Sequence, residues 1–191
     1  MYEPQDFSRL LGASGFSDTL LSDHFKLYEG YVKNVNTVVE RLKTIEPGSI
    51  EGSELRRRFG WEWNGMRLHE LYFGNLTSAP EPLDPESGLA KAIVGRFGSL
   101  DGFLQDFRRA GTMRGIGWVV LAYDLPSGEL FNLWINEHDG GHLSGTTPLL
   151  VMDVFEHAYL RDYGLARADY VDAFMNAVDW HTVLSRYSHA S

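Results

Sequence analysis

The sequence predicts an α+β fold: an N-terminal antiparallel helical hairpin, two shorter helices, a small antiparallel sheet and closing helical turns. Three observations carry this. Apolar residues recur every three or four positions between Ser17 and Leu76, the middle of the chain switches to β-rich runs around a tight turn, and a proline-rich stretch divides the two regimes.

The first helix is read from the stripe Leu21, His24, Tyr28, Tyr31, Val35, Val38 and Leu42, whose steps alternate three and four and so line one helical face. Pro47 and Gly48 end it. A second stripe follows in Leu55, Phe59, Trp63, Met66, His69, Phe73 and Leu76, and the short turn between the two makes them antiparallel. The stretch from Ser78 to Gly88 holds Pro80, Pro82 and Pro85 and reads as a link. Beyond it, Ala90 to Phe97 and Leu100 to Arg109 are short helices, the latter capped by Ser99. Gly117 to Tyr123 and Glu129 to Ile135 are strands on either side of a Leu-Pro-Ser-Gly turn, and Thr147 to Asp153 is a third. From Ala168 onward, Tyr170, Phe174, Val178 and Trp180 suggest further helical turns. The division expected is residues 1–80 for the hairpin and 81–191 for an α/β domain.

Composition narrows the function. With 191 residues, 43% of them hydrophobic and 13% aromatic, the chain can bury a core, which excludes a disordered protein. Cysteine is absent, so disulfides, thiolate metal sites and thiol nucleophiles are excluded. A net charge of −9 argues against a nucleic-acid binder, which needs a broad basic surface. No apolar run approaches a membrane span, and the opening Met-Tyr-Glu-Pro-Gln-Asp-Phe has no export signal, so a cytoplasmic protein is expected.

The chemistry points to histidine. Of the seven histidines, His24 and His69 sit on the apolar stripes of the two hairpin helices. Each must place a ring nitrogen somewhere, and one shared metal ion would satisfy both. Asp153 and His157 form an Asp-x-x-x-His pair directly after the third strand, beside Phe155 and Tyr159. Three imidazoles and one carboxylate suit iron, manganese or zinc better than calcium or magnesium. His138 and His142 are a rival pair, but Gly140 and Gly141 between them argue against a shared helical face. His181 and His189 read as solvated, and Arg56, Arg57 and Arg58 as an exposed face that could also guide an anion. No phosphate-binding loop, dinucleotide fingerprint or serine-hydrolase elbow occurs.

The stretch Pro-Leu-Leu-Val-Met-Asp-Val-Phe-Glu-His-Ala-Tyr, from Pro148 to Tyr159, resembles the signature of iron/manganese superoxide dismutases, with Phe155 in place of the usual tryptophan. The segments around His24, around His69, from Gly115 to Leu121 and from Asp169 to Trp180 are similar to the family in the same order. The resemblance implies a three-stranded antiparallel sheet behind the hairpin and one iron or manganese ion per chain. The ion would lie between the two domains, on His24, His69, Asp153 and His157, with a solvent ligand. It implies dismutation of superoxide to dioxygen and hydrogen peroxide, with Tyr31 guarding the entrance and helping deliver protons, and Trp118 and Phe155 walling the site.

Three departures bear on that. An ungapped alignment on Tyr31 puts Asp23 at the first ligand position; His24 is preferred because it shares the stripe with Tyr28 and Tyr31, about 100° round the helix from Asp23. Gly65 stands where iron types carry an outer glutamine and His138 where manganese types do, which leaves the metal open and makes His138 the candidate that tunes it. Leu160 replaces a tyrosine of the family's subunit bridge, whereas Glu156 of that bridge is kept, so a homodimer or a dimer of dimers is expected. Lys26, Arg67 and Arg167 are candidates for attracting the anionic substrate. The competing reading is a metal-free or catalytically altered member serving as a structural protein; it would be expected to have lost ligands, and all four candidate positions are filled.

Overall fold

The computed structural model describes residues 1–190. Helices α1 (Asp18–Thr44) and α2 (Ile50–Gly74) pack as the antiparallel hairpin. Helices α3 (Gly88–Phe97) and α4 (Leu100–Gly111) lead into β1 (Gly117–Asp124), β2 (Glu129–Asn136) and β3 (Thr146–Asp153). The chain closes with α5 (Leu160–Tyr163), α6 (Arg167–Asn176) and α7 (Trp180–Ala190). The three strands form one antiparallel sheet in the order β2-β1-β3. This is the α+β architecture that the sequence predicts, and no helix of the described residues is long and apolar enough to cross a membrane.

Each of the first four helices begins at a serine whose hydroxyl accepts a backbone N–H: Ser17 from Leu20, Ser49 from Gly52, Ser87 from Ala90 and Ser99 from Gly102. Such a cap satisfies one of the four N–H groups a helix start leaves without a partner. On α1 the buried line is Leu20, Leu21, His24, Tyr28, Val32, Val35 and Val38, with Tyr31 on its half-buried flank.

Two residues read as helical lie elsewhere. The second helix stops at Gly74, so Leu76 falls beyond it and forms a β-bridge with Val178, which leaves Val178 outside the closing helices. The cause is Asn75, fully buried, whose amide donates to the carbonyls of Tyr72 (2.9 Å) and Val151 (3.2 Å) and accepts from Val151 N–H (2.9 Å). Those bonds turn the backbone out of α2 and fasten its end to β3. The half-buried Arg186 of α7 completes the joint, donating to Leu149 (2.7 Å) and Leu71 (3.0 Å) carbonyls.

The sheet register does the remaining positioning. Trp118 at the start of β1 is paired with Asp153 at the end of β3 and with Ile135 near the end of β2. Side chains directly opposite in a ladder share a face, so this end of the sheet presents Trp118 and Asp153 side by side. Helix α2 packs against β3.

Candidate metal centre

Four side chains, from two helices, a strand and the turn after that strand, meet here. His24 of α1, His69 of α2, Asp153 at the end of β3 and His157 in the turn after it each offer a donor atom, and these atoms all lie within 4.8 Å of one another. The Nε2 atoms of all three imidazoles converge on one carboxylate oxygen, Asp153 Oδ2, at 3.2 Å for His24, 3.5 Å for His69 and 3.0 Å for His157. The other oxygen, Oδ1, is taken by Phe155 N–H (2.8 Å), and Tyr170 hydroxyl donates to the Asp153 carbonyl (2.6 Å). The carboxylate is therefore held with Oδ2 facing the histidines.

His69 tests whether the residues suit a cation. Its Nδ1–H donates to the Gly65 carbonyl one turn earlier in α2, which puts the lone pair on Nε2. That Nε2 is buried and has no hydrogen-bond partner among the described residues. A buried lone pair 3.5 Å from a carboxylate oxygen is repelled unless a proton or a cation lies between them. A proton does not serve, because burial and the neighbouring His24 push the His69 pKa well below its ordinary value. Burial lowers that of His24 as well. Burial alone would raise the Asp153 carboxyl, but the charge and hydrogen bonds of His157 and His24 outweigh it and hold the group below the usual carboxylate range. Imidazole nitrogens gathered around an ionised carboxylate are a donor set for a divalent or trivalent transition metal.

Beside this cluster, Tyr31 hydroxyl lies 2.7 Å from His138 Nε2. The tautomer follows from Trp118, whose indole N–H donates to His138 Nδ1 at 3.1 Å. Indole is a donor only, so Nδ1 carries the lone pair. Burial lowers the His138 pKa to about 4 and the ring is neutral, so Nε2 bears the proton and donates to the Tyr31 oxygen. The Tyr31 hydroxyl proton is thereby left for another acceptor; burial raises the Tyr31 pKa to about 12 and keeps that proton in place. Aromatic rings enclose the pair: Phe155 stacks on His138 (4.7 Å) and on His157 (5.2 Å), and Trp118 meets His69 edge-on (4.9 Å).

The remaining sequence candidates fall as follows. Asp23 points to the surface, where it pairs with Arg161 at 2.7 Å, and is not among the converging donors. His142 does not converge with His138; its Nε2 lies 2.8 Å from the His138 carbonyl and supports that loop instead. His181 and His189 are exposed. Gly65 has no room for a side chain, since a Cβ there would stand 2.5 Å from the Tyr31 ring. Trp61, edge-on to His138 at 4.8 Å, and the buried Glu62 were not singled out from the sequence. Trp61, Gly65 and His69 follow at steps of four, so helical phase measured back from His69 is the signal that finds Trp61.

Comparison with known proteins agrees with this arrangement. Residues 85–186 match the model of the iron/manganese superoxide dismutase C-terminal domain. The chain is 38% identical over 172 residues to a manganese superoxide dismutase of Haloferax volcanii, covering 87% of this chain and 84% of that one. It is 33% identical over 197 residues to an iron superoxide dismutase of Aquifex pyrophilus, covering 98% and 92%. The chain belongs to the iron/manganese superoxide dismutase family.

Proposed function

We propose that this chain is a superoxide dismutase whose single iron or manganese ion is held by His24, His69, Asp153 and His157. The observation that carries the reading is the convergence of three imidazole Nε2 atoms and one carboxylate oxygen, with one of those nitrogens buried and unpartnered. Bound there, the ion supplies one-electron chemistry, so that one superoxide leaves as dioxygen and the next, with two protons, as hydrogen peroxide. Asp153 sets negative charge against the cation, and the neutral imidazoles add none. Gly65 carbonyl fixes the His69 tautomer, keeping Nε2 free to bind.

Tyr31 and His138 are the residues assigned to proton handling. His138 Nε2–H anchors the Tyr31 oxygen, and Tyr31 keeps its own proton available to a solvent or substrate oxygen. Phe155, Trp118 and Trp61 exclude bulk water from these bonds, which strengthens each of them. The reading takes residues 1–80 and 81–191 as the two domains that contribute ligands. It also takes the chain as cytoplasmic and working as a homodimer or a dimer of dimers, with Glu156 and the exposed Leu160 beside His157 as the surface for a second copy.

The experiment is a superoxide dismutation assay on the chain refolded with iron and with manganese, beside Asp153→Ala treated alike. Activity with at least one metal that is absent in Asp153→Ala supports the reading, and a folded, metal-loaded chain without activity removes it.

A further inference from the structure

The chain carries a net charge of −9, so an anionic substrate is repelled overall and charge close to the site decides its approach. Two cations singled out from the sequence are already engaged. Arg67 pairs with Glu70 (2.6 Å) and packs on the Tyr2 and Trp63 rings, and Arg167 donates to the carbonyls of Gly111 and Gly115. Arg161, near His157, is paired with Asp23 and shares that groove with Glu156, so carboxylates outnumber it there.

Arg58 differs. Its Nε–H donates to Glu62 Oε1 at 2.6 Å, and the two side chains are unequally exposed: 56% for Arg58 and 3% for Glu62. The second Glu62 oxygen accepts from Asn34 of α1 at 3.1 Å, which locks the carboxylate between the hairpin helices. The guanidinium lies 5.4 Å from the centroid of Trp61, the ring that covers His138. Its two Nη groups donate to no acceptor among the described residues. The pair is thus a dipole with its positive end outward, one ring away from His138, and the charge of Arg58 is felt at both Tyr31 and His138. The carboxylates of the buried Asp153 and the exposed Asp139 also act on His138, and those of Asp153 and Glu62 on Tyr31.

We propose that Arg58 draws small anions to the Tyr31–His138 face, and that Glu62 is a positioning residue that holds the guanidinium over Trp61 and moderates its pull. In its biological sense this rests on the superoxide reading above, and the test separates the two. The probe is iodide, an anionic quencher of tryptophan fluorescence, against neutral acrylamide, on the full chain at low ionic strength. The Trp61 component is the difference from the same measurement in Trp61→Phe.

Arg58→Gln should lower iodide quenching of Trp61 about threefold, Arg58→Lys should keep most of it, and Glu62→Gln should raise it. Acrylamide quenching should be unchanged, and the differences should vanish near 0.5 M salt, where charge is screened within about 4 Å. On the metal-loaded protein, kcat/KM for superoxide should shift in the same opposite directions with the same salt dependence. Equal losses in Arg58→Gln and Glu62→Gln at every ionic strength, or no change in iodide quenching, would overturn the proposal. A wild type that shows the quenching pattern but no dismutation would instead overturn the superoxide reading and leave the anion site standing.

Discussion

His24 and Asp23 are neighbours on α1, yet only His24 reaches the cluster, because one residue turns a helix by about 100°. His24 is 2% exposed with Nε2 3.2 Å from Asp153, whereas Asp23 faces outward to Arg161. His24→Ala should therefore lose bound metal and Asp23→Ala should keep it, measured as metal per chain after dialysis against a weak chelator; the reverse result would make Asp23 the ligand. His138 supports a different expectation. It is not one of the converging donors, so His138→Gln should retain metal but shift the ratio of iron-supported to manganese-supported dismutation. An unchanged ratio would leave His138 with no part in metal preference. His24 and His69 were legible because each breaks an apolar stripe with a group that needs a partner. The tautomer of His138 was not, because it is set by Trp118, 20 residues away in sequence.

The helix α2 owes its place in the site to what it lacks as much as to what it bears. Gly65 lets the Tyr31 ring lie flat against the helix, and a methyl group there would stand 2.5 Å from that ring. Gly65→Ala should cost about 1–3 kcal/mol by overpacking and should displace Tyr31 from His138, read as a lower urea midpoint together with lost activity. Wild-type stability would mean that α1 and α2 slide apart without cost. The helix hairpin could be read from periodicity because its contacts repeat every turn. The pairing of Trp118 with Asp153 could not, since strand register between distant segments leaves no local pattern. The same holds for the end of α2: nothing near Asn75 announces that its amide will bind β3, so Leu76 and Val178 looked helical.

At the scale of the molecule, the four donors come from both sides of the link between hairpin and sheet, so a bound ion would join them and stabilise the folded chain. Without metal, acid should be its weakness. His24 and His69 have lowered pKa values in the folded state, mainly through burial, so the unfolded chain takes up protons first as the pH falls. Stability is then full above about 6.5, the unfolded imidazole value, and is lost below it. The lowered Asp153 pKa acts in the same direction at lower pH. The melting temperature of metal-free protein should therefore fall between neutral pH and pH 5, and a rise would contradict the buried, neutral state of these rings. Whether these four residues form one metal site is decided by elemental analysis of the purified chain. The expected result is about one iron or manganese ion per chain, and close to none in folded Asp153→Ala; a folded wild type that takes up neither metal, or an Asp153→Ala variant that holds as much as wild type, would contradict it.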